Sequence, residues 1–304
     1  MAFTAKDVQA LRERTGVGMM DCKKALAASD GDMDKAIDFL REKGLAAAAK
    51  KSGRIASEGI VYAYCDENSK VATLVEVNSE TDFVAKNDKF VSFVDSVAKT
   101  IVKANPADVD ALLEVKIADA DETVRESLQE KVLTIGENIK IRRFVRVEGT
   151  VATYIHGCGR IGVLVKFDVD DATAQRDAFK ELGKDVAMQI AAVNPLFLDK
   201  DSVPPETLEH EKKILTEQVI NEGKPAQIAE KIVMGKISKY YKENCLVDQV
   251  FVKNSDESVA QHIASVAKEL GADIKVTGFF RFERGEGLEK KSDDFASEVA
   301  SMIK

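Results

Sequence analysis

Apolar residues recur at helical spacing through the first 45 residues and predict three short helices. The first helix follows a capping-box pattern at Thr4 and Asp7 and ends at the glycine-rich string 15–18. The second helix is predicted over 19–28. The third should end at Gly44, because glycine commonly closes a helix and an Ala- and Lys-rich connector follows it.

After this unit the apolar spacing changes to two, the spacing of a half-buried strand, and a strand–turn–strand–helix pattern occurs twice. In each copy a Glu-Gly pair opens the first strand and an Asn-Pro pair follows the helix. Glu58 lies 48 residues before Pro106, and Glu148 lies 47 residues before Pro195. The pattern predicts an internal duplication and an α+β fold, in which helices cover one face of antiparallel hairpins.

Two further helical stretches, near 205–222 and 225–241, carry narrow apolar stripes that suit a projecting antiparallel helical hairpin. The stripes leave open whether this hairpin pairs with a second copy of the chain. A last amphipathic helix is predicted over 294–303. Four domains are expected: a helical domain at 1–53, the first core half at 54–147, the second core half at 148–284 with the helical hairpin inserted at about 198–243, and a C-terminal helical module at 285–304.

Charge and composition narrow the classes of function. The 304 residues include 44 basic and 52 acidic side chains, so the net charge of −8 argues against direct binding of nucleic acid. No apolar run approaches the roughly 20 residues of a membrane span, and residues 1–7 lack a signal-peptide pattern. A cytoplasmic location without membrane association is expected. The four cysteines lie far apart, which predicts neither a metal site nor a disulfide framework.

Residues 157–162 read Gly-Cys-Gly-Arg-Ile-Gly and match the dinucleotide-binding pattern Gly-x-Gly-x-x-Gly. The phosphate-binding form of this pattern lies between a strand and the first turn of a helix, whereas this string joins two predicted strands. A hairpin turn is therefore favoured, and no cofactor is expected. A nucleotide-dependent enzyme is the alternative that this motif alone suggests.

Residues 81–87 read Thr-Asp-Phe-Val-Ala-Lys-Asn and directly follow the second strand of the first copy. In such a junction the ordinary outcome is that Asp82 caps the next helix and Phe83 enters the core. The second copy has Asp-Asp-Ala-Thr-Ala-Gln-Arg at 170–176 and lacks an aromatic residue there. The Asp-Phe pair is therefore an addition to a repeated scaffold, and packing of the scaffold does not require it.

Several strings resemble the bacterial elongation factor Ts family, and the resemblance extends over the whole chain. The strings include TGVGMMDCKKAL at 15–26, TDFVAKN at 81–87, GENIKIRRF at 136–144, HG with RIGVLV at 156–165, and GFFRFERGEGLEK at 278–290. The resemblance implies a non-catalytic guanine nucleotide exchange factor that binds elongation factor Tu, both GDP-bound and nucleotide-free, in translation elongation. It also implies a ubiquitin-associated-like fold for the first domain, and it is compatible with a dimer of heterodimers.

The same resemblance assigns roles to particular residues. In this family the Asp-Phe pair is inserted into the partner, which implies that Thr81, Asp82, Phe83 and Val84 dislocate Mg²⁺ from the partner's nucleotide site. The residues implied to contact elongation factor Tu elsewhere are Arg12, Met19, Met20, Lys23 and His156. No residue is implied to be catalytic or to bind a metal of its own. A ubiquitin-like-binding adaptor is the alternative that the N-terminal helices alone suggest.

Four residues carry expectations of their own. Neighbours on a helix point about 100° apart, so at least one of Met19 and Met20 should be exposed. The family usually has fewer glycines in the second hairpin turn, so Gly159 is expected to loosen that loop. Arg284 adds a positive charge that is unusual for the family.

Overall fold

The computed structural model describes residues 3–66, 70–223 and 226–289. The N-terminal helices are α1 (Ala5–Thr15), α2 (Met19–Ala28) and α3 (Met33–Lys51). The first copy of the repeat contains β1 (Glu58–Cys65), β2 (Val71–Ser79), α4 (Asp82–Ala85), α5 (Asp88–Ala104), α6 (Val109–Glu114), α7 (Val124–Ile135) and β3 (Lys140–Glu148). The second contains β4 (Thr150–His156), β5 (Ile161–Asp168), α8 (Asp171–Ala174), α9 (Asp177–Val193), α10 (Pro205–Asn221), α11 (Ala226–Asn244), a 3-10 turn (Leu246–Asp248), β6 (Val250–Phe251), β7 (Asn254–Ser258), α12 (Val259–Leu270) and β8 (Lys275–Glu283).

The N-terminal helices form where the pattern predicts them, with one correction. Thr4 and Asp7 make the predicted capping box at the start of α1. The predicted end of the third helix at Gly44 is wrong, because α3 continues to Lys51. The residues after Gly44 include a run of alanines, the best helix former, and Gly44 faces the backbone of Gln129 on α7. Gly44 therefore lies inside a helix that contacts α7 and does not end that helix.

Antiparallel sheets of three strands confirm the α+β class. One sheet has the order β1-β2-β3 and the other the order β4-β5-β8. Helices α5, α6 and α7 cover one face of the first sheet, and α9 and α12 cover one face of the second. The remaining faces pack against each other through Val61, Leu74, Leu164 and Phe282. Strand β2 is therefore buried on both faces, which the period-two pattern did not predict.

The duplication extends further than the hairpins. Both long helices end at an asparagine in the left-handed conformation, Asn105 after α5 and Asn194 after α9. Helices α7 and α12 each end at a left-handed glycine, Gly136 or Gly271, and each leads into the third strand of its sheet. The short helices α4 and α8, which no apolar period predicted, are also equivalent. Residue by residue, the segment from Gly136 therefore corresponds to the segment from Gly271.

The second hairpin turn brings the two sheets together. The glycine-rich string joins β4 to β5, as predicted, with His156 paired to Ile161. A Cβ at Gly162 would lie 2.4 Å from Val61 of the other sheet, and a Cβ at Gly159 would lie 2.8 Å from Ile60. The expectation that Gly159 loosens this loop is wrong, because the residue is tightly packed and also has a φ of +88°.

The segment between α9 and α12 contains the predicted helical hairpin. Helices α10 and α11 pack against each other, and α11 also contacts the 3-10 turn at Leu246–Asp248. The C-terminal helix predicted over 294–303 lies outside the described residues. Within the described ranges, none of the helices has the length and apolar character needed to cross a membrane.

Candidate partner-binding site

The Asp-Phe pair lies on an exposed one-turn helix between β2 and α5. Phe83 is the most exposed large apolar side chain of the described residues, with 80% of its surface accessible to solvent. The next residues, Val84 and Ala85, are buried in the core beneath α5. The ring therefore points outward from a turn whose other side is fixed in the core. This is the opposite of the ordinary outcome for a junction phenylalanine.

Asp82 is also directed outward and does not cap a helix. Thr81 occupies the N-cap position of α4, and Asn87 caps α5 by accepting a hydrogen bond from the Lys89 N–H at 2.9 Å. The Asp82 carboxylate lies 3.1 Å from Lys86 Nζ, one helical turn later, and both side chains are largely exposed. Such an exposed pair contributes only about 0–1 kcal/mol, so the carboxylate is readily available to another partner.

The turn is held from the side by Glu137, which follows α7. One carboxylate oxygen of Glu137 accepts hydrogen bonds from the backbone N–H groups of Glu80 and Thr81, both at 3.0 Å. Its other oxygen accepts a bond of 2.6 Å from the Thr81 hydroxyl. In return, the Glu80 carboxylate accepts a bond of 2.7 Å from the Asn138 N–H. The string GENIKIRRF thus supports the turn, a role that the sequence alone did not assign to it.

A basic residue lies close to these carboxylates. The Lys51 ammonium donates to the Val132 carbonyl at 3.3 Å. Burial lowers the pKa of Lys51, the Arg54 guanidinium lowers it further, and the carboxylates of Glu80 and Glu137 act in the opposite direction. The end of α3 therefore places positive charge beside the acidic residues that hold the turn.

His156 lies at the end of β4 and is exposed. Its Nδ1 lies 3.1 Å from the Tyr154 hydroxyl, which orients the imidazole ring. The turn that follows packs on β1, because the Val61 N–H donates to the Gly159 carbonyl at 2.8 Å. Strand β1 pairs with the strand that ends at the Asp-Phe turn. His156 and the turn are therefore both attached to this hairpin of the first sheet.

The predicted N-terminal contact residues are all exposed. Met19 and Met20, at the start of α2, are 51% and 64% exposed, so the prediction that at least one faces solvent is confirmed. Arg12 and Lys23 are also exposed. Gly16 lies between α1 and α2, and a Cβ there would be 3.7 Å from Nζ of Lys89 on α5. The loop before this patch therefore lies within reach of a side chain of the helix that follows the Asp-Phe turn.

Comparisons with known proteins identify the family. Residues 80–286 match the family model described as Elongation factor TS. Elongation factor Ts of Clostridium kluyveri is 56% identical over 305 aligned positions, covering 99% of each chain. The proteins of the same name from Clostridium novyi and Clostridium botulinum are 54% and 52% identical, each over 99% of this chain and 98% of their own. The chain belongs to the elongation factor Ts family.

Membership of the elongation factor Ts family connects the chain with translation elongation in protein biosynthesis. It also gives the exposed Asp-Phe turn a context that packing alone does not supply. The described residues contain no group of three His, Cys, Asp or Glu side chains placed to hold a metal ion. The site offers an exposed aromatic ring and an exposed carboxylate on a turn that is fixed by the core and by Glu137.

Proposed function

We propose that the chain is a guanine nucleotide exchange factor that binds elongation factor Tu with GDP and promotes GDP release by disturbing the Mg²⁺ and phosphate site. Family membership supports the partner and the process. The observation that carries the mechanism is the Phe83 ring, 80% exposed on a turn whose next two residues are buried. Exposure of this ring to water does not stabilise the protein by itself, whereas burial of the ring in a partner's pocket would stabilise a complex.

Phe83 supplies apolar binding energy to the partner in its low-affinity state for GDP. Burial of a phenylalanine side chain contributes about 1.5–3 kcal/mol. Because the turn is already ordered, little of this energy is spent on fixing its backbone. By linkage, a factor that weakens GDP binding is itself bound more weakly when GDP is present. The chain therefore binds nucleotide-free elongation factor Tu more tightly than the GDP-bound form.

Asp82 adds a negative charge near the coordination sphere of the partner's Mg²⁺. A carboxylate there competes with, or displaces, the waters and side chains that hold the ion. Its only ion pair among the described residues, with Lys86, is exposed and weak, so its release costs little. Thr81 and Val84 frame the turn, Thr81 through Glu137 and Val84 through the core.

The remaining contacts anchor the chain on its partner. They are supplied by Arg12, Met19, Met20, Lys23 and His156. One phenylalanine does not provide enough energy for rapid exchange, so docking through these separate surfaces must contribute the rest. The chain performs no chemical step on the nucleotide, which the partner alone binds.

The test is release of labelled GDP from elongation factor Tu with wild-type protein and with the double variant Asp82→Ala, Phe83→Ala. Loss of the ring that is buried in the complex should slow catalysed GDP release by roughly 10- to 100-fold, while the fold is retained. Asp171→Ala is the matched control, because Asp171 occupies the position of Asp82 in the second copy and is exposed. Release catalysed by the double variant at the wild-type rate would overturn the mechanism.

A further inference from the structure

We infer that Glu137 is a positioning residue for nucleotide exchange, whose carboxylate holds the Asp-Phe turn in the conformation that presents Phe83 to the partner. This inference rests on the proposed function. Glu137 lies 54 residues after Phe83 in the sequence and does not itself need to contact the partner. It acts through the backbone of Glu80 and Thr81 and through the Thr81 hydroxyl.

The bonds to Glu137 fix the backbone just before α4, whose first turn has no side-chain cap. Thr81 stands at the N-cap position, but its side chain makes no capping hydrogen bond, because the hydroxyl donates to Glu137 instead. The N–H groups of Glu80 and Thr81 also end on Glu137. Helix α4 contains only four residues, and so short a helix is not stable by itself. Its position depends on this carboxylate on one side and on the buried Val84 on the other.

The support around Glu137 is itself anchored. Asn138 is buried, and its side chain donates to the Arg54 carbonyl at 2.8 Å. Its backbone N–H donates to Glu80, so hydrogen bonds run in both directions between residues 80–81 and 137–138. Arg54 also lies 3.5 Å from the Glu80 carboxylate. The turn is thus fixed to the connector that follows α3 and to the segment between α7 and β3.

The second copy of the repeat provides an internal comparison. There α8 is capped by its own N-cap residue, because Asp170 accepts bonds of 2.9 and 2.7 Å from the N–H and hydroxyl of Thr173. Ala172 takes the place of Phe83. The residue equivalent to Glu137, one position after Gly271, is Ala272, which has no side-chain acceptor. The lateral carboxylate therefore occurs only in the copy that carries the exposed ring.

This difference has a physical reason. A self-capped turn with a small exposed residue needs no external support, since nothing on it must be held at a fixed distance from a partner. A turn that inserts a ring must keep its backbone ordered before binding, because each residue ordered on binding reduces affinity in the exchange-competent complex. Because Glu137 already orders Glu80 and Thr81 in the free protein, their ordering does not reduce the affinity for the partner.

The experiment compares Glu137→Ala, Glu137→Gln and the control Asp170→Ala, which removes the capping carboxylate of the second copy. The maximal rate of GDP release should fall about tenfold with Glu137→Ala, while the concentration for half-maximal rate changes less than about threefold, since docking elsewhere is intact. Glu137→Gln should restore most of the rate, because its amide can accept both N–H bonds and donate to Thr81. Asp170→Ala should catalyse GDP release at the wild-type rate.

A double-mutant cycle separates positioning from general destabilisation. If Glu137 acts through the Asp-Phe turn, Glu137→Ala should have almost no further effect in the Asp82→Ala, Phe83→Ala background. Equal losses of the GDP-release rate in both backgrounds would overturn the inference. A wild-type rate for Glu137→Ala, in an assay where the Asp82→Ala, Phe83→Ala variant is slow, would also overturn it. Wild-type protein that does not accelerate GDP release would instead overturn the proposed function.

Amide hydrogen exchange tests the structural part without the partner. The N–H groups of Glu80 and Thr81 should be protected in wild-type protein and in Asp170→Ala, and unprotected in Glu137→Ala. Protection that survives in Glu137→Ala would overturn the inference whatever the exchange rates show.

Discussion

Replacing Glu76 with Gln should markedly destabilise the fold, because this carboxylate is completely buried where the two sheets meet the segment after β8. Four groups donate to it. The backbone N–H of Gly285 donates at 2.8 Å, Asn78 Nδ2 and Arg142 Nη1 at 3.0 Å, and Arg143 Nε at 2.7 Å. The carboxylate thus connects β2, β3 and the chain that leaves β8.

The magnitude follows from the number of donors left without an acceptor. A glutamine oxygen accepts about two of the four bonds, so two donors lose their partner. Each lost bond to a charged group is worth about 1.5–3 kcal/mol. Arg142 and Arg143 are 21% and 31% exposed and can bond to water instead, which reduces the loss. The expected decrease in the free energy of unfolding is therefore about 2–4 kcal/mol.

The effect should depend on pH with a definite sign. Burial by itself would raise the pKa of Glu76, but the Gly285 N–H and the side chains of Asn78, Arg142 and Arg143 hold that pKa below its ordinary value. A carboxylate with a lowered folded-state pKa contributes its full stability above the unfolded-state pKa of about 4.3. That contribution is lost as the pH falls through the folded-state pKa. The difference between wild type and Glu76→Gln should therefore shrink under acidic conditions.

The assay is urea unfolding of both proteins at pH 7 and at about pH 3.5, with the free energy taken from linear extrapolation. Glu181→Gln is the control, because Glu181 is an exposed residue of α9 and its replacement should change stability by less than about 0.5 kcal/mol. A loss below about 1 kcal/mol at pH 7, or the same loss at both pH values, would refute the reasoning.

Two further predictions concern the N-terminal helices. Gly44→Ala should stabilise the protein by about 0.5–1 kcal/mol in the same urea assay, because α3 is regular there and a Cβ meets its neighbours at 3.6 Å or more. Gly16→Ala should instead destabilise the protein, since the φ of Gly16 is +68°. A similar loss of stability in Gly44→Ala would mean that the contact between α3 and α7 requires glycine. Met19→Gln with Met20→Gln should weaken affinity for elongation factor Tu by about tenfold without changing stability, measured by calorimetry. Met234 on α11 is similarly exposed, and the control Met234→Gln should leave this affinity unchanged. Equal affinity of the two variants would show that Met19 and Met20 do not bind the partner.

Local signals predicted most of the elements. Helix α12 spans Val259–Leu270, where a capping box opens the helix and Gly271 closes it. The same kind of signal was misleading at Gly44, which lies inside α3 where that helix contacts α7. The short helices α4 and α8 contain four residues each and are too brief for an apolar period to appear.

Within the candidate site, the sequence singled out the Asp-Phe pair but not the side chain that supports it. The Asp-Phe pair stood out because the second copy of the repeat lacks it. Nothing in the string GENIKIRRF indicates that Glu137 accepts bonds from residues 80 and 81. The repeat was the available signal, because the second copy has Ala272 where the first has Glu137. This correspondence becomes visible only once α7 and α12 are aligned in space.

The sequence by itself determined the class of fold, the duplication, the positions of most helices and strands, and the family, because capping, periodicity and family-like strings are local properties. Only the tertiary structure decided that Phe83 faces solvent, that β2 is buried on both faces and that Glu76 is a buried charge. These outcomes depend on contacts between distant residues, 56 apart for Glu137 and Thr81 and 209 apart for Glu76 and Gly285. The first pair meets when β2 and β3 pair within one sheet, and the second meets only when the two sheets pack together.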